Sequence, residues 1–277
     1  MEYKRVLTIQ DISCFGQCSL TVALPILSAC GLETVILPSA VLSTHTSGFT
    51  GFTCRDLTDD FPAIIQHWKS EGISFSAVYT GYLGSPRQVA HVKTIFEEMV
   101  DAGGLRIVDP AMADNGELYP AFDEVYVNAM KNLISVSDII IPNITEACLL
   151  TGIEYRESYD EAYVDELVRA LQNSGAKTIV LTGVSYKKGM TGVLVVENGE
   201  KQYYSHIKYS MDCHGTGDVY ASSFVGALMN GKSTFESAVV AADFTVRCIK
   251  ETIFDEKHWY GVIFEPVLGE LIKTVRG

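Results

Sequence analysis

The sequence predicts an α/β fold, a central and mostly parallel sheet with helices on both faces. Three observations carry that prediction. Short β-branched runs alternate with longer amphipathic ones, the pattern of strands joined by helical crossovers. At 277 residues the chain has the length of a large single α/β domain, enough to bury a sizeable core. A hydrophobic content of 47% against 20% charged residues is that of a soluble globular protein. No internal repeat, low-complexity stretch or linker divides the sequence, so residues 1–277 are read as one domain.

The elements follow in chain order. Residues 6–9, Val6-Leu7-Thr8-Ile9, form the first strand, and the apolar stretch 18–30 the first helix. A second strand is expected at 34–37, a helix at 61–71 and a third strand at 77–80. Pro86 suits the first turn of a helix, where its missing N–H costs nothing, and the pattern runs to residue 102. Strands are expected again at 106–109, 138–141 and 178–181, with a helix at 160–174 before the last. Residues 192–197 and 201–209 flank Asn198-Gly199, the strongest short signal for a hairpin turn. A helix at 219–230 follows the hairpin.

Charge narrows the partners. Lys and Arg total 21 and Asp and Glu 34, a net charge of −13 with a pI near 4.9. Such a surface repels phosphate backbones, which argues against nucleic-acid binding. A site for a polyphosphate must overcome that background through local amides, Lys or a divalent cation. No apolar run approaches the roughly 20 residues of a membrane span, and the N-terminus lacks the apolar core of a signal peptide. A cytoplasmic protein without membrane contact is therefore expected. The seven cysteines include Cys14 and Cys18, four apart, but no second pair or neighbouring His completes a zinc site. Cys30, Cys148 and Cys248 lie in apolar stretches and read as small buried hydrophobes. Cys213 adjoins a glycine turn that would bring it near a ligand, and otherwise reads as an inert thiol.

In a parallel α/β sheet, ligands bind beyond the carboxyl ends of the strands. Five predicted strand ends there carry Gln10-Asp11, Thr80-Gly81-Tyr82-Leu83-Gly84, Asp109-Pro110, Pro142-Asn143-Ile144-Thr145-Glu146 and Thr182-Gly183. A sixth segment, Gly215-Thr216-Gly217-Asp218, stands at the opening of the 219–230 helix. Two glycines let a backbone approach an oxyanion closely, and first-turn N–H groups with the helix dipole favour negative charge there. Asp218 can accept a proton from an attacking hydroxyl while those amides hold charge on a phosphoryl group. The plainer alternative makes Asp218 an ordinary helix cap. Glu146 stands three residues after Asn143, so an amide and a carboxylate converge at a helix start. Their plainer alternative is a capping box, and both roles can coexist.

With these motifs assembled, the chain resembles the ribokinase-like superfamily, and within it the pyridoxal/pyridoxamine (vitamin B6) kinases. The resemblance runs from about Val6 to Ile249. It rests on Ile9-Gln10, Ser43-Thr44-His45-Thr46, Gly81-Tyr82-Leu83-Gly84-Ser85, Asp109-Pro110-Ala111-Met112, Pro142-Asn143-Ile144-Thr145-Glu146 and Gly215-Thr216-Gly217-Asp218, in the family's order. It implies a three-layer sandwich and ATP-dependent phosphorylation of the 5′-hydroxymethyl group of pyridoxal, pyridoxamine or pyridoxine. A divalent metal, Mg2+, is implied, with a monovalent cation such as K+ as a further ion, and a homodimer. Asp218 matches the catalytic base, and Gly215 and Gly217 the anion hole. Thr216 lies in the same turn, on the nucleotide side. Asn143 and Glu146 match positions that organise magnesium and phosphates, and Asp109 and Thr182 match nucleotide-side positions. Glu146 and Asp109 are thereby the metal candidates. Asp11, Thr46, Ser47 and Tyr82 fall where the family contacts the vitamin.

Three departures matter. Many B6 kinases carry Ser where this chain has Asp11; an anion there would favour the ammonium of pyridoxamine over the aldehyde of pyridoxal. Thr182 stands where many relatives place a Lys, which makes Lys187 and Lys188 alternative sources of charge or else a solvated hairpin approach. Ala113 replaces a glycine, so the loop after Asp109 need not follow the family's path. His45 reads as a ring partner of the substrate or as a structural histidine. Tyr82 suits stacking on a pyridine ring. The stretch 48–52 suits a lid, a core segment or an interface. The rival functions are a hydroxymethylpyrimidine kinase of the same superfamily and, in another class, a non-catalytic vitamer-binding protein.

Overall fold

Strand β1 (Arg5–Ser13) sits near the middle of a nine-stranded sheet because it is apolar on both faces: Val6 points to one side, Leu7 and Ile9 to the other. The computed structural model describes residues 3–209, 214–255 and 257–277. Along the chain come α1 (Leu20–Ala29), β2 (Glu33–Leu42), β3 (Cys54–Asp56), α2 (Phe61–Ser70), β4 (Phe75–Thr80), α3 (Pro86–Glu98) and β5 (Val100–Val108). Then follow β6 (Ala113–Asp114), β7 (Glu117–Leu118), α4 (Glu124–Ile134), β8 (Ile139–Ile140), α5 (Ile144–Thr151), α6 (Glu161–Asn173) and β9 (Thr178–Val184). The last elements are β10 (Met190–Glu197), β11 (Glu200–Ile207), α7 (Thr216–Met229), α8 (Thr234–Thr252) and α9 (Leu268–Arg276).

The sheet order is β11-β10-β9-β8-β5-β4-β1-β2-β3. Pairings from β2 through β9 are parallel, while the β2–β3, β9–β10 and β10–β11 pairings are antiparallel. Period-two alternation sends Val78, Val108, Ile140 and Ile179 into one apolar cluster and Ala77, Ile107, Ile139 and Val180 into a second. Helices α2 to α6 cover the first cluster, and α1, α7, α8 and α9 the second. This is the three-layer α/β sandwich expected. From β1 the chain proceeds first to β2 on one side and later to β4 on the other, so the order reverses at β1. That reversal opens a crevice at the carboxyl ends of β1 and β4.

One expected helix end differs clearly. The helix from Pro86 stops at Glu98 rather than 102, because Val100 already pairs with Phe75 in β5. Gly103 has φ +80°, and a Cβ on Gly104 would lie 3.0 Å from the Ser76 carbonyl, so this pair belongs to a close strand contact. The 198–199 turn is as expected, with both residues at positive φ. Asn115-Gly116 carries the same signal and the same positive φ, and it turns the small hairpin β6–β7 that the sequence reading did not include. Among the described residues no helix is long and apolar enough to cross a membrane.

Candidate active site

Asp218 lies in the first turn of α7, whose N-cap is Gly215 in the left-handed conformation, φ +80°. Its carboxylate does not cap its own helix. Oδ2 instead accepts the main-chain N–H of Ser19, 2.8 Å away at the start of α1. The two glycines have different reasons to be glycine. A Cβ on Gly215 would sit 2.0 Å from the Gln17 carbonyl oxygen, whereas a Cβ on Gly217 meets nothing within 4 Å. Gly215 is thus required by backbone packing, and Gly217 faces open space beside a helix N-terminus. Open space, first-turn amides and the helix dipole together suit an anion. Thr216 opens α7 in the same turn. Cys213 lies outside the described residues.

Around Asp218 the fold gathers three more carboxylates. Asp11, still within β1, is buried and accepts the Ser13 hydroxyl at 3.0 Å. Asp109 follows β5; its N–H donates to the Thr80 carbonyl and its Oδ1 accepts the Ala111 N–H at 3.1 Å. Glu146 opens α5, its Oε1 accepting from Met112 N–H at 3.0 Å and its Oε2 from Asn143 N–H at 2.9 Å. Burial raises all four carboxyl groups. Asp218 is pushed up to about 7, chiefly by desolvation, with the Ser19 N–H opposing and the Asp11 charge adding to the rise. For Asp109 the neighbouring charges of Glu146 and Asp218 add to desolvation. Among the described residues, no Lys or Arg forms an ion pair with any of the four.

Four gathered carboxylates that form no ion pair with Lys or Arg among the described residues fit a divalent ion arriving with a polyphosphate. Among the described residues no three such side chains could hold an ion by themselves. Both Glu146 oxygens already accept N–H groups, and Asp109 uses one. Mg2+ keeps several waters and needs only one or two carboxylates beside phosphate oxygens, so Glu146 and Asp109 suit it.

Asn143 and Glu146 do form the capping box: Asn143 Oδ1 accepts the Glu146 N–H at 2.8 Å while Glu146 accepts from Asn143 N–H. Asn143 Nδ2 also donates to the Ala113 carbonyl at 2.8 Å, which pins the start of β6. Thr182 lies opposite Asn143 in an isolated bridge and donates its hydroxyl to the Pro142 carbonyl, 3.3 Å away. The substitution at Ala113 leaves that residue extended in β6; the left-handed residue of the loop is Ala111, φ +35°. Lys187 is exposed and lines a groove with Glu161, Asp165, Tyr186 and Lys201, sharing no residue with the carboxylate row. Lys188 is exposed on the same loop.

Tyr82 follows β4. Burial and the nearby Asp11 charge push its phenol up to about 12. Its ring packs against Phe122 at 5.2 Å between centroids. His45 is buried and spends both ring nitrogens on main chain. Nδ1 accepts the Ser47 N–H at 3.2 Å, so Nε2 carries the proton and donates to the Tyr260 carbonyl at 2.7 Å. It therefore organises its loop rather than offering a ring nitrogen to a ligand. Thr46 and Ser47 are exposed beside it. Phe49 packs on Phe15, His45 and Trp259, at 6.0, 4.9 and 4.7 Å between centroids. The loop at 48–52 is thus clasped to the segments at 14–17 and 258–260.

Four residues escaped the sequence reading. Tyr119, after the β6–β7 hairpin, is close enough to Glu146, Asp109 and Asp218 for their charges to add to the burial that raises its phenol. The Asn115-Gly116 turn signal could have revealed it. Gln17, Ser19 and Tyr260 show no motif, because their importance lies in contacts distant in sequence.

The sequence model of the phosphomethylpyrimidine kinase family matches residues 27–262. A solved structure from Bacteroides thetaiotaomicron, a candidate phosphomethylpyrimidine kinase crystallised with pyridoxal, is 34% identical, covers 98% of this chain and 96% of its own, and superposes with a TM-score of 0.91. Pyridoxal kinase from Lactobacillus plantarum is 32% identical with 98% of both chains covered and the same TM-score, 0.91. Pyridoxal kinase of Dictyostelium discoideum is 27% identical over 241 residues, 80% of this chain and 77% of its own.

Proposed function

The chain belongs to the phosphomethylpyrimidine kinase family, and from that premise we propose that it is a vitamin B6 kinase, transferring the γ-phosphoryl group of ATP to the 5′-hydroxymethyl group of pyridoxal, pyridoxamine or pyridoxine. One observation carries the reading most: Asp218 sits beside the open N-terminus of α7 and next to Asp11, in a chain 34% identical to a protein crystallised with pyridoxal.

Phosphoryl transfer asks little covalent chemistry of a protein. It needs an in-line nucleophile, a placed base and neutralisation of the equatorial oxygens. In this reading Asp218 takes the proton of the 5′-hydroxyl as its oxygen bonds to the γ-phosphorus. The bond from that phosphorus to the β–γ bridging oxygen breaks, and ADP leaves. The amides at Gly215, Thr216 and Gly217 face the transferring group. Asn143, Thr182 and Asp109 lie on the nucleotide side. Asp11 and Tyr82 border the vitamer, with Thr46 and Ser47 at the mouth and His45 holding their loop. Mg2+, when bound, would neutralise phosphate charge, and Glu146 and Asp109 would hold it. A homodimer, a cytoplasmic setting and a monovalent ion such as K+ complete the proposal on family resemblance alone.

A second reading, hydroxymethylpyrimidine phosphorylation, is favoured by the description of the matching family. A coupled assay of ADP release across pyridoxal, pyridoxine, pyridoxamine and hydroxymethylpyrimidine separates the two. The proposal expects turnover with at least one B6 vitamer at a kcat/KM well above that for the pyrimidine. The reverse order would replace it with the second reading. Binding of pyridoxal without ADP release would leave a vitamer-binding protein.

A further inference from the structure

Ser19 has φ +55° and ψ −128°, a left-handed conformation that favours glycine. A serine held there is strained and persists only where the surroundings over-determine it. They do so here. Ser19 forms an antiparallel bridge with Ile12, which fastens it to the end of β1. Two residues earlier, Gln17 N–H donates to the Tyr260 carbonyl at 3.4 Å, and Gln17 pairs with Gly261 in a parallel bridge. The Gln17 side chain donates to Glu265 Oε1 at 2.5 Å and meets His258 Nε2 at 2.8 Å. Its carbonyl is packed against Gly215 so tightly that a Cβ there would sit 2.0 Å away.

The strained conformation has a specific product. Ser19 stands at the N-cap of α1, where a serine side chain normally accepts a first-turn N–H, yet it makes no such bond. Its hydroxyl instead lies close enough to Asp11 to oppose the rise of that carboxyl group. Its main-chain N–H, turned out by the unusual φ, reaches Asp218 Oδ2. One residue therefore bonds the proposed base with its N–H and lies near the vitamer-side carboxylate.

We propose that Ser19 is a positioning residue for Asp218: its main-chain N–H pins Oδ2, so that Oδ1 is the oxygen left to face the acceptor hydroxyl. This rests on the reading of Asp218 as the base. The Gln17–Tyr260 contact acts as the clamp that keeps Ser19 in place. Removing the clamped conformation lets the carboxylate rotate, which slows transfer without loosening nucleotide binding.

The test compares wild type with Ser19→Val, Ser19→Gly and Asp218→Ala. A β-branched residue disfavours this φ strongly, whereas glycine adopts it freely and keeps the N–H. Ser19→Val is expected to lower kcat at least tenfold with KM for MgATP within threefold, and Ser19→Gly to lose far less. In the amide NMR spectrum of the full chain, the Ser19 proton is expected to lie downfield in wild type and to move upfield in Asp218→Ala. If Ser19→Val keeps wild-type kcat while Asp218→Ala is inactive, or if the Ser19 resonance is the same in both proteins, the positioning role is wrong. Should Ser19→Val fail to fold, the resonance decides alone. Turnover surviving in Asp218→Ala would instead overturn the assignment of the base.

Discussion

Replacing Asp218 with Asn separates chemistry from architecture more cleanly than any other substitution in this protein. The amide is nearly the size of the carboxylate, and its Oδ1 can still accept the Ser19 N–H that now reaches Asp218 at 2.8 Å. What disappears is proton acceptance. A placed base contributes roughly 10²–10⁴ in rate, which is about 3–5 kcal/mol of transition-state stabilisation. We expect kcat to fall by that factor while KM for MgATP changes little. Stability should move the other way. Folding raises the Asp218 carboxyl from 3.8 to about 7, so between those values the native state binds more protons than the unfolded one. Stability contributed at this site is then greatest at low pH and declines as pH rises from about 4 to about 7. Three pH units correspond to at most about 4 kcal/mol, and the partial solvent exposure of Asp218 lowers that figure. Thermal melts of the ligand-free protein should show Asp218→Asn gaining on wild type between pH 5 and pH 8. In wild type, kcat/KM should fall tenfold per unit below about pH 7, as the base becomes protonated. A variant that turns over near the wild-type rate would refute the reasoning, whatever its melting curve shows.

Three other outcomes follow from local geometry. Gly217→Ala should raise the melting temperature, since Ala in a helix is worth about 0.5–1 kcal/mol over Gly, yet lower turnover by filling the space beside the amides; Gly215→Ala should lower both, because φ is +80° and Gln17 blocks the methyl. Equal behaviour of the two in melts and assays would contradict their different roles. Glu146→Gln leaves one of two N–H donors, from Met112 or Asn143, without its acceptor, which costs about 1–3 kcal/mol. It should also raise the Mg2+ concentration for half-maximal ADP release by about tenfold or more, and a Mg2+ titration unchanged from wild type would remove Glu146 from the metal's surroundings. Asp11→Ser should shift preference from pyridoxamine towards pyridoxal, read as the ratio of their kcat/KM values; an unchanged ratio would mean that Asp11 does not select the vitamer.

Much of this site is written in short segments. Asn143 to Glu146 is legible because a helix start brings positions three apart onto one face, and the capping box in the structure uses that spacing. Asp109 and Thr182 are legible as strand-end residues, since a parallel sheet collects its carboxyl ends on one edge. Gly215 and Gly217 are legible as a glycine turn, although the sequence assigns both to an anion and the structure gives Gly215 to the Gln17 carbonyl. His45 is the opposite case. Beside two threonines it reads as a ligand contact as readily as a structural residue, and only its bonds to Ser47 and Tyr260 decide the matter. The helix extended to residue 102 fails because β5 competes for Val100 through its pairing with Phe75, a contact 25 positions away.

The amino-acid sequence by itself determined the layered, mostly parallel sheet, the succession of its main strands along the chain and the identity of four acidic residues at strand and helix ends. These depend on period-two alternation, on glycine and proline at turns, and on caps, all of which act over a few residues. Only the tertiary structure decided that Asp11, Asp109, Glu146 and Asp218 gather at one place, that Tyr119 lies near enough to feel their charge, and that Ser19 points its amide at Asp218. Those facts follow from β1, β4 and β5 ending, and α5 and α7 beginning, at the same crevice. Burial there raises the carboxyl groups together, an effect of shared desolvation that no local pattern encodes.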